Sequence, residues 1–379
     1  MTAIAPHPVH EHDEIVRRSS NSVDPHFDAD AFAQELDALR AEILGSLGST
    51  DAKYIRTLVR RQRRLEIAGR ALLMAGIFPP AWVGGVGLLA LAKILENMEI
   101  GHNVIHGQWD WMRDEKINSR TYEWDHTCPS AQWKHTHNHI HHYWTNVVGK
   151  DGDVGYDTIR VDESLPWEPK HRYQVLWFSL LMIGFEWGVA FQGVGSSHLE
   201  ERNAAPVDEA MKTEFTLDKM KKQLTKDYAL YPALALPLGL PSVSAVAAGN
   251  LAANLIRNVW TFAVIFCGHF PDNVSLFSEE EVENESRGQW YRRQILGSAN
   301  FTSSKVMDVM SGNLNHQIEH HLFPDMPSNR YSQIRPKVRE ICARYGVFYN
   351  TKGFLHQFGT VVRKTFVLAR PPKGYTKNK

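Results

Sequence analysis

The chain has 379 residues, of which 42 are basic and 42 acidic, so its formal charge is zero. A neutral balance gives no electrostatic case for binding nucleic acid. Three separated cysteines, Cys128, Cys267 and Cys342, form no C-x-x-C pair; this argues against an iron–sulfur or disulfide framework and fits a reducing compartment.

Apolar residues are gathered into blocks, which suits one polytopic membrane unit with a cap better than two soluble domains. The first residues are a polar tail with His7, His10, His12 and His26 among Pro and Asp, and no secretory signal. Residues 29–47, ADAFAQELDALRAEILGSL, predict an amphipathic helix packed on the body. The helical pattern resumes over residues 53–70 with Arg56, Arg60, Arg61, Arg63, Arg64 and Arg70, a basic run that reads as cytoplasmic beside an apolar block.

That block covers residues 65–101 and is broken at Phe78-Pro79-Pro80. Proline is costly inside a helix and favoured at its start, so the block predicts a hairpin turning at the prolines. Its returning arm leads into GHNVIHG, where His102 and His106 stand four apart. Glu99, one turn before His102, is expected to orient that ring.

The stretch from 108 to 171 is rich in tryptophan and holds WKHTHNHIHHYWTN, with five histidines in eight positions: His135, His137, His139, His141 and His142. On a helix His137 and His141 share a face, while His142 projects roughly 100° away and can reach a second metal ion. Asp151-Gly-Asp153 lacks the full calcium-loop pattern and reads as a turn. His126, His135, His139 and His171 are read as supporting or surface residues.

Residues 175–195 are apolar but contain Glu186; residues 212–226 carry five lysines; 228–250 and 251–269 are again apolar. All the histidine clusters must lie on one face of a membrane, so an even number of crossings separates the second from the third. Residues 175–195 are therefore expected to lie in the interface or re-enter, with 228–250 and 251–269 as two crossings. Arg257 falls near the far side and is expected to snorkel. The topology returns His269, in FCGHFPD, beside the clusters as a further ligand. In NHQIEHHLFP, His316, His320 and His321 repeat the spacing of His137, His141 and His142. Residues 328–364 predict amphipathic helices that close the cap.

Imidazole suits iron, copper, nickel and zinc, and a zinc site is filled by about four ligands. Eight histidines in three clusters therefore predict a pair of metals. No nucleophile motif, phosphate loop or dinucleotide fingerprint is present. Iron with O2 can attack an unactivated C–H bond, which ordinary side chains cannot. Two other readings are a hydroxylase using the same centre and a non-enzymatic zinc-binding membrane receptor.

HNVIH, HNHIHHYWTN and HQIEHHLFP resemble the three histidine boxes of the membrane fatty acid desaturases. FCGHFPD and GQWYRRQILGSANF add longer signatures of that family, and KILENMEIGHNVIHGQWDWMRD, GFEWGVA and SANF…SGN…HQIEHHLFPD are similar to its actinobacterial acyl-CoA/acyl-lipid branch. The resemblance implies an all-α polytopic membrane protein with about four transmembrane helices and a cytosolic helical cap holding a diiron site. Residues 1–50 would be a tail and amphipathic helix, 51–360 the desaturase domain, and 361–379 a basic tail. The implied reaction is O2-dependent insertion of a cis double bond, at Δ9 in this branch, into a saturated acyl-CoA or acyl-lipid chain. Implied too are two iron ions, an NADPH-driven flavin/iron–sulfur reductase as electron donor, and a multi-pass place in the cell membrane with the site facing the cytoplasm. The family's ligands carry over to His102, His106, His137, His141, His142, His320 and His321. Many relatives have Q-x-x-H-H, which would select Gln317; His316, copying the second box, is the ligand expected here. The H-P-G-G haem motif of a fused cytochrome b5 domain is not found, so a separate electron carrier is expected.

Overall fold

The computed structural model describes residues 27–195, 209–372 and 375; His7, His10, His12 and His26 lie outside them. Helices dominate, and the strands among the described residues are a short parallel pair, β1 (Asn300–Thr302) and β2 (Thr351–Gly353). Helix α1 (Ala29–Gly45) starts where the Asp28 carboxylate accepts from the Ala31 N–H at 3.0 Å. It buries Phe32, Leu36, Leu39 and Ile43 against the core of the cap, as its periodicity predicts.

Helices α2 (Ser49–Met74) and α3 (Pro79–Ile94) form the expected hairpin, with prolines opening α3. Their backbones touch. A Cβ on Gly69 would stand 2.7 Å from the Leu89 nitrogen, so only glycine allows this approach. Helix α3 runs on into a wide π-helical stretch, Leu95–His102, and a second such stretch, Lys134–His141, carries the densest histidine run. Wide turns of this kind cluster at functional sites. Both histidine pairs spaced by four therefore sit on, or at the end of, a helix wider than the α-helix expected for them.

Helices α4 (Gln174–Ile183) and α5 (Phe185–Gly195) meet at Gly184. The segments Pro169–Ile183 and Phe185–Gln192 are bent there by 99°, so this apolar block does not run straight. After α6 (Glu209–Thr225) the chain turns at Leu236–Leu238 and at Gly239, whose φ is +91°. Helix α7 (Leu240–His269) is then continuous over 30 residues, with proline in its first turn. This corrects the expected division into crossings at 228–250 and 251–269. Proline and glycine place the turn some ten residues earlier, and nothing breaks the helix at Asn250. Among the described residues α7 is the one helix long and apolar enough to cross a membrane by itself, and the bent pair passes only when taken together.

Arg257 does not snorkel. It is buried on α7, 2.5 Å from the Glu186 carboxylate of α5. The two charges that looked misplaced in separate apolar blocks thus neutralise each other. Close by, the Lys93 ammonium lies 2.9 Å from Asp227. Asn254 donates to the same carboxylate at 3.1 Å, tying α3, α7 and the approach to the turn together.

Helix α8 (Arg287–Leu296) packs against α1, and α9 (Tyr331–Arg344) closes the cap. Helix α10 (Phe354–Leu368) buries Val361, Thr365 and Leu368, so the folded body continues past residue 360, where a basic tail was expected.

Candidate metal centre

Two groups of imidazoles meet where the ends of α3 and α7 enter the cap. In one, His102, His106, His137 and His320 each present a ring nitrogen within 4.8 Å of the others; His141, His269 and His321 do the same in the second. His142 bridges them. Its ring centroid lies 4.6 Å from His106 and 4.7 Å from His320, and it stacks on His321 at 4.4 Å. Eight of the nine expected residues, drawn from four separate stretches of chain, therefore converge.

The ring nitrogens divide into two kinds. Nδ1 of His102 donates to Asn103 Oδ1 at 2.9 Å, and Nδ1 of His141 to the Asp151 carboxylate at 3.0 Å. Nδ1 of His321 donates to Gln294 Oε1 at 3.1 Å, and Nδ1 of His320 to the Tyr331 hydroxyl at 3.2 Å. Nε2 of His106, His137, His141, His142, His320 and His321 is buried and has no partner. Buried polar atoms are rarely left unpaired. Six imidazole nitrogens are thus buried in shared space, and for His141, His320 and His321 among them the opposite nitrogen is held by a partner, a donor set suited to cations.

Electrostatics agree. Burial, reinforced by neighbouring imidazoles, holds His137, His142, His320 and His321 well below the ordinary histidine range, so their lone pairs are free. Burial also opposes a charge on His141, but the Asp151 and Asp153 carboxylates outweigh it and push its pKa up to about 9. Asp153 lies 3.5 Å from Nδ1 of both His137 and His141. The Asp151-Gly-Asp153 segment read as a plain turn is thus the anionic support of this half of the site. Its signal in the sequence was the short step from His142 to a pair of carboxylates.

Glu99 supports its expected ring indirectly. It accepts from Tyr54, Ser328, Asn313 and Asn103 side chains, and Asn103 in turn holds His102. His126 and His171 are also accounted for away from the nitrogen cluster, accepting from the backbone N–H groups of Cys128 and Glu168. His135 and His139 lie 6.4 Å apart, outside both groups.

His316 is not brought to the cluster. It is buried with Asp308 4.0 Å from its Nε2, and its ring meets none of the other histidines among the described residues. The next residue turns inward instead: the Gln317 amide reaches 3.0 Å from His269 Nε2, and its Oε1 is buried without a partner. The reason is local. A short 3-10 turn, Leu314–His316, precedes the helix Gln317–Leu322, so His316 is not in helical phase with His320 as His137 is with His141. Gln317→Ala is therefore expected to lower metal retention and turnover about 10–100-fold, and His316→Ala to do little to either. Metal analysis and product yield of the two variants check this; the opposite ranking restores His316 as the ligand.

Beside the imidazoles lies a cavity of ≈ 740 Å³, with His102, His137, His269 and Gln317 on one wall and Tyr156, Phe185, Val189 and Ile265 among its apolar lining. An apolar chamber opening on paired cation sites fits a hydrocarbon substrate.

Comparison with known proteins converges on the same chemistry. The family model for fatty acid desaturases matches residues 77–353. The NADPH-dependent stearoyl-CoA 9-desaturase of Mycobacterium tuberculosis is 48% identical over 350 residues, covering 91% of this chain and 81% of the relative. The sn-1 linoleoyl-lipid 6-desaturase of Synechocystis is 23% identical over 83% of this chain and 88% of the relative. Fatty acid desaturase 3 of Bos taurus is 24% identical over 77% of this chain and 63% of its own length. The matched span holds every imidazole of the two groups, and with these matches the chain is an oxidoreductase and belongs to the fatty acid desaturase family.

Proposed function

We propose that the chain inserts a cis double bond, at Δ9, into a saturated acyl chain carried on CoA, using two iron ions, O2 and electrons from an NADPH-driven reductase. One observation carries this reading: buried, unpartnered imidazole nitrogens converge in two groups at the wall of an apolar chamber. The Δ9 position and the CoA carrier are supported by the likeness to the M. tuberculosis stearoyl-CoA 9-desaturase.

His102, His106, His137 and His320 would hold one ion and His141, His269 and His321 the other, with His142 between them and Gln317 alongside. These are imidazole and amide donors, with His141 giving up its second ring proton when a cation binds, a set that suits iron. Bound iron supplies the activation of O2 that attack on an unactivated C–H bond requires. The chain's own residues do the rest. Asn103, Asp151, Gln294 and Tyr331 hold the ring planes, so the nitrogens need no reorganisation. Tyr156, Phe185, Val189 and Ile265 exclude water and align the acyl chain, and this alignment selects which carbons react.

We further propose four crossings: the α2–α3 hairpin, the arm leading up to Gly239, and α7. The cap and its site then face the cytoplasm, with the α4–α5 bend lying in the interface. The basic run from Arg56 to Arg64 at the base of the hairpin supports this orientation.

Gas chromatography with mass spectrometry of lipids from cells expressing the chain tests the activity. An increase in Δ9 monounsaturated acyl chains without added oxygen is expected. A hydroxylated product, or no change in the acyl pattern with iron bound, overturns it.

A further inference from the structure

An open groove of ≈ 1130 Å³ lies on the cap, lined by Tyr143, Trp144, Trp290, Glu283, Glu285 and Arg287. Tyr143 is 56% exposed although it follows the buried His142 directly. The groove floor is joined by hydrogen bonds to His142 and to His321 of the second imidazole group. Trp290 Nε1 and Arg293 Nη2 donate to the Tyr143 carbonyl at 3.3 and 2.9 Å. One turn further along α8, Gln294 donates to the His142 carbonyl at 3.1 Å and accepts from His321 at 3.1 Å. The surface of the groove is thus one peptide unit from His142 and one side chain from His321.

The groove's edge is acidic: Glu283 and Glu285 line it, and the segment that leads into it, residues 279–285, reads EEEVENE. Glu285 is paired with Arg293, and Lys150 lies 3.7 Å from Glu279. Glu280, Glu281 and Glu283 enter no ion pair among the described residues, and Arg287 is committed to Asp37. An exposed aromatic floor beside an acidic segment that is only partly paired marks a surface built for a partner.

We propose that this groove docks the electron-transfer domain of the driving reductase, a protein with a basic collar around its flavin or iron–sulfur centre. The inference rests on the desaturase reading above. Converting –CH2–CH2– to –CH=CH– with one O2 yields two H2O and consumes two electrons and two protons. One NADPH, oxidised to NADP+, and one H+ supply them. Electron tunnelling decays steeply with distance, and the groove offers a donor a short hydrogen-bonded path to His142 and His321. The acidic rim steers a basic donor there, and a small, short-lived contact suffices for such encounters.

The test uses the full-length, iron-loaded chain in membranes and the triple variant Glu280→Lys/Glu281→Lys/Glu283→Lys. Turnover is driven either by NADPH with the reductase purified on its ability to support wild-type activity, or by photoreduced 5-deazariboflavin, a small neutral reductant. The reductase-driven rate of the variant is expected to fall at least about tenfold at low salt and to lose the wild type's decline with added salt. Deazaflavin-driven product and iron content are expected to match wild type. Carbodiimide, which couples carboxylates to lysines, is expected to link residues 280–283 to the reductase in wild type, with or without iron. A reductase-driven rate in the variant within about twofold of wild type at low salt, with its salt dependence kept, overturns the proposal. So do equal losses under both reductants, or cross-links confined to another face. Failure of the underlying activity looks different: wild type then gives no unsaturated product with either reductant.

Discussion

His142→Ala is expected to abolish double-bond formation and to strip most of the bound iron, while the protein still accumulates in the membrane. The expectation follows from where the ring sits. Both its nitrogens are buried and unpartnered, and it touches rings from each imidazole group. Nothing else in the fold uses it, so its loss deletes a donor without breaking a structural hydrogen bond. Its backbone carbonyl, which accepts from Gln294, is retained in alanine. Iron analysis of the purified variant, beside acyl-chain analysis of expressing cells, reads the result. Normal iron content with wild-type product would remove His142 from the donor set.

Arg257→Leu is expected to destabilise the protein by about 3–5 kcal/mol, the usual cost of removing one partner of a buried ion pair. Glu186 would be left inside the fold with its charge unanswered, 6% exposed. The damage should spread to the chamber, because Glu186 lies on α5 beside Phe185 and on the same helix as Val189, both lining residues. Asn258, which accepts from Arg257 and donates to the Ile183 carbonyl at 2.9 Å, fastens the same bend to α7. The double variant Arg257→Leu/Glu186→Leu should recover much of the loss, since an apolar pair of similar bulk needs no counter-charge. Thermal unfolding in detergent, followed by tryptophan fluorescence, ranks the three proteins. An Arg257→Leu variant as stable as wild type would mean the pair contributes nothing.

Both expectations turn on contacts between residues far apart in the chain, and this marks the limit of sequence reading here. Histidine spacing is a local property. In a helical turn it decides which rings share a face, so His102 and His106 could be paired by inspection; the same rule joined His137 to His141, which the fold divides between the two groups. His269 was reached by counting crossings. The same local rule misled at the third box. The spacing of His316, His320 and His321 copies the second box, yet the 3-10 turn Leu314–His316 ahead of that helix breaks the phase and turns Gln317 inward. The break between apolar blocks was likewise misplaced, because hydropathy alone does not say which proline ends a helix and which begins one.

What the sequence determined alone was the inventory: the neutral nitrogen donors, the apolar blocks that carry them, the hairpin at Pro79-Pro80 and the family they resemble. These follow from composition and short-range periodicity, which need no knowledge of neighbours in space. Tertiary structure alone decided that Asp151 backs His141, that Gln294 backs His321, and that Arg257 answers Glu186. It also decided that the exposed Tyr143, next to the buried His142, lines a groove with Glu283 and Glu285. Each of these joins groups whose charges or lone pairs are satisfied only by a partner brought in by the fold. Electrostatic complementarity acts across space, and distance along the chain does not encode it.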